Sequence, residues 1–315
     1  MRAMVIADFG GPDVFEERNV PKPMPGPNEV LVKVHATSVN PVDYKIRRAG
    51  SWARVSPPAI IGYDVSGVVE TVGDEVADFE VGDEVFYTPE IFGGQGSYAE
   101  YHVADASIVA PKPPMLSHAE AASLPLAGGI AWDSLVVAGG LQVGETVLIH
   151  GAGGVGSLAM QIAKASGARV LTVCSGHMAD LVRDLGADAA IPYDAEDFVE
   201  GVKRIALDGV DLVLDTVGGD TLERSLPLVK EFGMLVGIVS TSVDLSQAGA
   251  KNVTVQKLFL RRARYKLLAI SALVGRGQLK PVVDSVMALQ EVADAHRRLE
   301  GGGVRGKIVL QVAES

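Results

Sequence analysis

Apolar and polar residues alternate along the first third of the chain, in "AMVIA" (3–7), "EVLVKVHA" (29–36), "DVSGVVETV" (64–72) and "YAEYHV" (98–103). "GGPD", "PMPGPN" and two "VGDEV" segments separate these runs. Period-two runs bounded by Gly, Pro and Asp predict short strands and tight turns, so this part reads as a β-rich unit. "VPKPMPGPNEV" (20–30) reads as an extended surface connection, because its prolines lack donors and restrict their neighbours. The texture changes at "SHAEAASLPLAGG", where Ser117 and Glu120 have capping-box spacing at a helix start.

From about residue 145 the pattern alternates between short apolar runs and helical periods. "TVLIH", "SLAMQIAKASG", "RVLTV", "MADLVRDLGA", "AAIPY", "DFVEGVKRIA", "VDLVLDT", "TLERSLPLV" and "MLVGIVS" follow in order. Strand, helix, strand, helix with β-branched apolar strands predicts a parallel, doubly wound sheet. After 265 the sequence predicts an apolar-periodic helix, a second helix over "DSVMALQEVADAHRRLEGG" (284–302) and a closing strand "GKIVLQV" (306–312). This tail does not extend the α/β alternation, so it is expected to return to the first domain.

Length and composition narrow the function classes. A chain of 315 residues with 48% hydrophobic and 21% charged residues supports about two folded domains. The net charge of −11 argues against a nucleic-acid backbone or an anionic membrane as partner. The basic run "KLFLRRARYK" (257–266) therefore reads as a solvated helix face. One cysteine, Cys174, excludes an internal disulfide and fits a reducing, cytoplasmic setting. The N-terminal segment has no signal-peptide pattern, and no unbroken apolar run reaches the length of a membrane helix.

The segment "TVLIHGAGGVGSLAMQIAKASGARVLTVCSG" carries the strongest chemical signal. Gly151, Gly153 and Gly156 satisfy G-x-G-x-x-G between a strand and a helix, with Gly154 and Val155 inside the turn. Such glycines allow a tight turn, close approach to a pyrophosphate and close helix–strand packing, while the helix N-terminus offers N–H groups. The next strand ends in "LTVCSGH" (171–177), which lacks the acid that usually holds a ribose 2′-hydroxyl. Ser175 there, and Tyr193 at the end of the following strand, suit a 2′-phosphate, so NADPH is the expected cofactor.

At this point the chain resembles a known family over nearly its whole length. "HGAGGVG", "GVDLVLDTVGGDTL" and "GKIVL" resemble the medium-chain dehydrogenase/reductase superfamily. "VNPVDYKIRRAG", "IIGYDVSGVVETVG", "VGDEVF" and "GSYAEY" resemble its zinc-free quinone oxidoreductase branch, the zeta-crystallin-like quinone and enone reductases. The resemblance implies an α/β protein with a GroES-like catalytic domain from 1–121 and 266–315, and a Rossmann domain over 122–265. It also implies an active site in the cleft between them, and a homodimer. Zinc-dependent relatives carry metal ligands where this chain has Asn40, Tyr63 and Leu126. An amide, a phenol and an alkyl chain do not make a zinc site, so no metal is expected.

Conjugate reduction needs a donor at the oxygen where charge develops. "NPVDYK" (40–45) is read as its source: Lys45 as donor to the oxyanion, Tyr44 or Tyr63 as secondary donor, and Asn40 holding the substrate oxygen or a water. Asp43 is read as a loop-fixing residue that pairs with Lys45 or Arg47. The alternative is that Lys45, Arg47 and Arg48 form the solvated face of a short helix. Gly237 and Ile238 in "VGIVS" (236–240) resemble the backbone that meets the nicotinamide amide, and Arg305 with Lys307 in "VRGKIVL" is assigned to the cofactor phosphate. The expected activity is NADPH-dependent, metal-free reduction of quinones or α,β-unsaturated carbonyls. The alternatives are an enoyl-thioester reductase and a non-catalytic NADPH-binding protein with a structural or RNA-binding role.

Overall fold

The computed structural model describes residues 1–239 and 243–313. Residues 240–242, which include the end of "VGIVS", lie outside the described residues.

The chain forms two compact units: Met1–Leu126 with Arg262–Gly275 and the segment from Pro281 onward, and Ala127–Arg261 with Arg276–Lys280. The sequence-based division at 121/122 and 265/266 lies a few residues from these limits. Local bonds account for the difference. The Leu126 N–H donates to Asp64 Oδ1 at 2.8 Å. Arg262 pairs with Glu90, and Arg264 with Asp78 at 2.7 Å, so both belong with the first unit. The basic run is accordingly not a solvated helix face, since Arg262 and Arg264 are ion-paired and Lys266 is buried.

In chain order the strands are β1 (Arg2–Ile6), β2 (Phe15–Asn19), β3 (Glu29–Val39), β4 (Ala59–Ile60), β5 (Val65–Val72), β6 (Glu84–Tyr87), β7 (Tyr101–Asp105) and β8 (Ala110–Pro111). The α/β region adds β9 (Thr146–His150), β10 (Arg169–Cys174), β11 (Ala189–Pro192), β12 (Val210–Asp215), β13 (Val229–Gly237) and β14 (Thr254–Lys257). The tail supplies β15 (Val283–Ala288) and β16 (Lys307–Gln311).

In the first unit, the sheet β15-β16-β3-β5-β6-β8 carries β7 on β3, and β2-β1-β4 forms a smaller sheet. β16 pairs antiparallel with β3, matching Ile308 to Val39. The tail therefore becomes part of this sheet beside the Asn40 turn. One expectation fails here. Residues 283–288 form strand β15, parallel to β16, and the helix covers only Val292–Gly301.

In the second unit, six parallel strands run β11-β10-β9-β12-β13-β14, the order in which the chain reverses direction beside β9. The central strands are buried on both faces: every residue of β9 is buried, and Leu148, Leu171, Val213 and Leu235 are at 0% exposure. Apolar strands without alternation are what two covered faces require. Among the described residues, no helix is long and apolar enough to cross a membrane.

Candidate functional site

"NPVDYK" folds as a helix start. The helix Pro41–Ala49 is capped by Asn40, with proline at N1, where its missing N–H costs nothing. The Asn40 N–H donates to Asp43 Oδ2 at 2.8 Å. The buried stripe is Asp43, Ile46 and Arg47, at i, i+3 and i+4.

This geometry divides the expected catalytic residues. Asn40 is buried at 2% exposure; its Nδ2 donates to Asp64 Oδ2 at 2.7 Å and its Oδ1 accepts from Lys307 Nζ. Lys307 also donates to the Val39 carbonyl at 3.1 Å and approaches Asp64 Oδ2 at 3.3 Å, so all three ammonium protons have acceptors. Asp64, fully buried, further accepts from Ser38 Oγ at 2.5 Å and from the Leu126 N–H at 2.8 Å. Lys45 is on the exposed side of the helix, away from the stripe that contains Asp43. Tyr44 is half-buried, with the Arg48 guanidinium 5.4 Å from its ring centre. The cation beside Asn40 is thus Lys307, which the sequence reading had assigned to a cofactor phosphate. Arg305 is exposed, and its N–H bonds Asp284 Oδ1 at 3.1 Å.

Tyr63 is completely buried, and among the described residues its hydroxyl has no hydrogen-bond partner. Burial, reinforced by the charges of Asp43 and Glu90, raises its phenol above the usual tyrosine range. A buried hydroxyl left without any partner costs about 1–3 kcal/mol, so Tyr63 Oη is open to a hydrogen bond with a ligand or a water.

Asp43 does not pair with Lys45 or Arg47, as had been expected. Its Oδ2 accepts from the Asn40 N–H and from Tyr98 Oη at 2.7 Å, while the buried Oδ1 has no partner among the described residues. Burial pushes its carboxyl up to about 7, against the pull of Tyr98, the Asn40 N–H and Lys307. Behind Tyr98, its hydroxyl is 3.1 Å from His296 Nε2, and His296 Nδ1 is 3.1 Å from Arg47 Nη1. Arg47, with a fully buried side chain, pairs with Glu300 at 2.6 Å and donates to the Gly10 carbonyl at 3.1 Å. Burial, with the charge of Arg47, lowers His296 to about 3, so its imidazole is neutral at physiological pH.

The second unit contains the glycine turn. Gly151 has φ +94°, and a Cβ there would lie 2.5 Å from Thr216 Oγ1. A Cβ on Gly156 would lie 2.0 Å from the Gly151 carbonyl oxygen, so only glycine lets the helix Gly154–Ala165 pack this closely on the turn. At Gly153 a Cβ would meet nothing within 4 Å, which leaves an open approach to the backbone. The first helical bond runs from Ser157 N to Gly153 O at 2.9 Å. The N–H groups of Gly154, Val155 and Gly156 thus have no helical acceptor and, with the helix dipole, fit a pyrophosphate.

Ser175 lies at the end of β10, half-buried, and Tyr193 follows β11 at 61% exposure. Beside Ser175, the Gly176 N–H donates to both carboxylate oxygens of Asp194, at 2.9 and 3.0 Å. Sequence reasoning missed this acid, because it sought one only within residues 171–177 and, on the following strand, stopped at Tyr193. Gly237 is buried and accepts from the Leu258 N–H at 2.9 Å, while the Ile238 N–H donates to Asp215 O at 3.2 Å. Gly237 O and the Ile238 N–H therefore serve the sheet. Among the described residues, no group of three or more His, Cys, Asp or Glu is arranged to hold a metal ion.

Two family models match the chain: an alcohol dehydrogenase GroES-like domain over residues 26–114 and a zinc-binding dehydrogenase over residues 185–310. The quinone oxidoreductase of Homo sapiens is 32% identical over 324 residues, covering 98% of this chain and 97% of the human protein. The 2-methylene-furan-3-one reductase of Solanum lycopersicum is 36% identical, covering 98% of this chain and 79% of the tomato protein. A mycobacterial structure complexed with NADPH superposes with a TM-score of 0.89 at 31% identity, covering 99% of this chain and 99% of that one. With these matches along its length, the chain belongs to the medium-chain dehydrogenase/reductase superfamily, is an oxidoreductase of NAD(P)-binding type, and is similar to its quinone oxidoreductases.

Proposed function

We propose that the protein is an NADPH-dependent, metal-free reductase of quinones or α,β-unsaturated carbonyls. The observation that carries this reading is the chemistry around Asn40. Its amide is tied at one end to Asp64 and at the other to Lys307, and Tyr63 holds the uncommitted proton donor of the cluster. A bound reduced nicotinamide would supply a hydride to the electrophilic carbon. The Tyr63 hydroxyl then donates to the oxygen on which charge develops, the role first assigned to Lys45. The buried Lys307 adds a fixed positive charge to the same cluster.

NADPH as the preferred cofactor is supported by the lack of an acid in residues 171–177, by Ser175 and Tyr193, and by the NADPH bound to the mycobacterial relative. Asp194 on the Gly176 N–H weakens that preference, because a carboxylate repels a 2′-phosphate. The open outer edge of β14 supports a homodimer, since unpaired strand edges invite pairing. The single buried Cys174 fits a cytoplasmic, reducing setting.

A second reading, reduction of enoyl thioesters, is favoured by a groove of about 590 Å³ in the first unit. Arg18 and Arg54 line it beside Val55, Pro58 and Ile60, and the anionic arm of a thioester needs such a basic, apolar wall.

The test is single-turnover mixing of the protein and NADPH with a quinone, a simple enone or an enoyl-CoA, followed by nucleotide absorbance. Decay with the quinone or the enone supports the proposal. Decay with enoyl-CoA alone supports the second reading, and decay with none of them overturns both.

A further inference from the structure

We propose that Thr216 is a positioning residue of the dinucleotide site: it fixes the orientation of the glycine turn, and through it the affinity for the pyrophosphate that NADPH and NADH share. The inference rests on the NAD(P)-binding character of the fold, and on neither the acceptor nor the choice between the two nucleotides.

The segment "GVDLVLDTVGGDTL" (209–222) has no task in the reduction described above. It supplies β12, which lies beside β9 on the side opposite β10. The register sets Asp215 level with His150, so Thr216 meets the start of the glycine turn. Its hydroxyl donates to the His150 carbonyl at 2.6 Å, and its N–H donates to the same oxygen at 3.2 Å. On the other side, the Gly151 N–H donates to the Val173 carbonyl of β10 at 2.9 Å. The peptide between His150 and Gly151 is therefore held at both its C=O and its N–H, once by each neighbouring strand.

That peptide is the last one before the chain turns. At Gly151 the φ of +94° redirects the backbone, and the Gly151 carbonyl then packs where a Cβ on Gly156 would lie 2.0 Å away. A rotation of the held peptide moves this carbonyl, and with it the helix start that leans on it. The free N–H groups of that helix start are the ones that fit a pyrophosphate. The Thr216 hydroxyl also fills the space that Gly151 leaves by lacking a side chain, since a Cβ there would lie 2.5 Å from Oγ1.

The residues on either side of this contact are themselves fixed. His150 is fully buried; its Nε2 is 2.8 Å from Ser225 Oγ, and its ring meets that of Phe198 edge-on at 4.8 Å. Asp215, also fully buried, accepts through Oδ1 from the Val217 and Gly218 N–H groups at 2.8 and 3.0 Å. The backbone before and after Thr216 is thus set without its side chain. Valine has nearly the same shape and the same N–H, so what threonine adds at 216 is the hydroxyl bond to His150.

The test compares the wild type, Thr216→Val and Thr216→Ser by fluorescence titration with NADPH and with NADH, and by hydrogen exchange of the nucleotide-free proteins. Thr216→Val should weaken both nucleotides by the same factor, about tenfold, and leave the ratio of their Kd values unchanged. Thr216→Ser keeps the hydroxyl and should bind within about twofold of the wild type. In nucleotide-free Thr216→Val, exchange should quicken over residues 151–157 while β10 and β13 keep their protection, a pattern that a general loss of stability does not give. Should Thr216→Val not fold, Thr216→Ala takes its place in the comparison with Thr216→Ser. Wild-type affinity in the variant without the hydroxyl overturns the proposal, as does a changed Kd ratio or exchange that quickens throughout the second unit. A wild type that binds neither nucleotide overturns the dinucleotide reading, and the proposal with it.

Discussion

Replacing Asp43 by Asn should raise stability, and by more in mild alkali than in mild acid. An amide keeps the geometry: its oxygen takes the place of Oδ2, accepting from Asn40 and Tyr98, and its NH₂ takes the place of Oδ1. It also remains neutral at every pH. The native carboxyl is pushed from 3.8 to about 7. Between those values the unfolded chain has released the proton that the folded protein still holds, so stability falls as pH rises and levels off above about 7. At about 1.4 kcal/mol for each tenfold change in proton affinity, the whole displacement corresponds to about 4 kcal/mol, of which about 2.5 kcal/mol falls between pH 5 and pH 8.

The assay is urea unfolding of both proteins at pH 5 and pH 8, with the stability difference compared between the two pH values. His102, His118, His150 and His296, all lowered by burial, titrate in the acid range in both proteins and largely cancel in that comparison. Asp43→Asn should gain about 2.5 kcal/mol on the wild type over this interval. A difference that is the same at both pH values would refute the raised carboxyl and the burial argument behind it.

Three further perturbations test the rest of the structure. Gly156→Ala sets a Cβ against the Gly151 carbonyl, so fluorescence titration should show NADPH binding weakened by more than about tenfold. Asp194→Asn removes the carboxylate beside Ser175 and should raise the NADPH-to-NADH ratio of kcat/KM, whereas an unchanged ratio would place the 2′-phosphate elsewhere. Lys307→Met leaves Asp64 buried without its cation and should cost about 3 kcal/mol in urea unfolding, much of it recovered in the double variant with Asp64→Asn.

The two architectures were legible in the sequence because hydrophobic period is a local property. Strands without alternation predict burial on both faces, and the glycine spacing predicts the turn after β9. Strand β15 was misread because "DSVMAL" runs into a genuine helix and has no strand signal of its own. It becomes a strand by pairing with β16, whose Leu310 lies opposite Met287. The candidate site was less legible for a related reason. Asn40 and Asp43 were visible as polar residues of a turn, but Lys307 reaches Asn40 and Tyr98 reaches Asp43 across sequence separations of 267 and 55 residues, and His296 reaches Tyr98 across 198. No local pattern encodes such contacts. The helix face itself was readable in principle. Asp43, Ile46 and Arg47 keep the i, i+3, i+4 spacing of a buried stripe, which turns Lys45 outward. The sequence reading instead grouped Arg47 with Lys45 and Arg48 as a solvated face, because charge usually marks the solvated side. Here Arg47 pairs with Glu300, and Asp43 has its two donors, so the polar stripe packs inward. A periodic polar stripe thus predicts which face is buried as well as an apolar one does, provided that the rest of the fold supplies a partner for each charge.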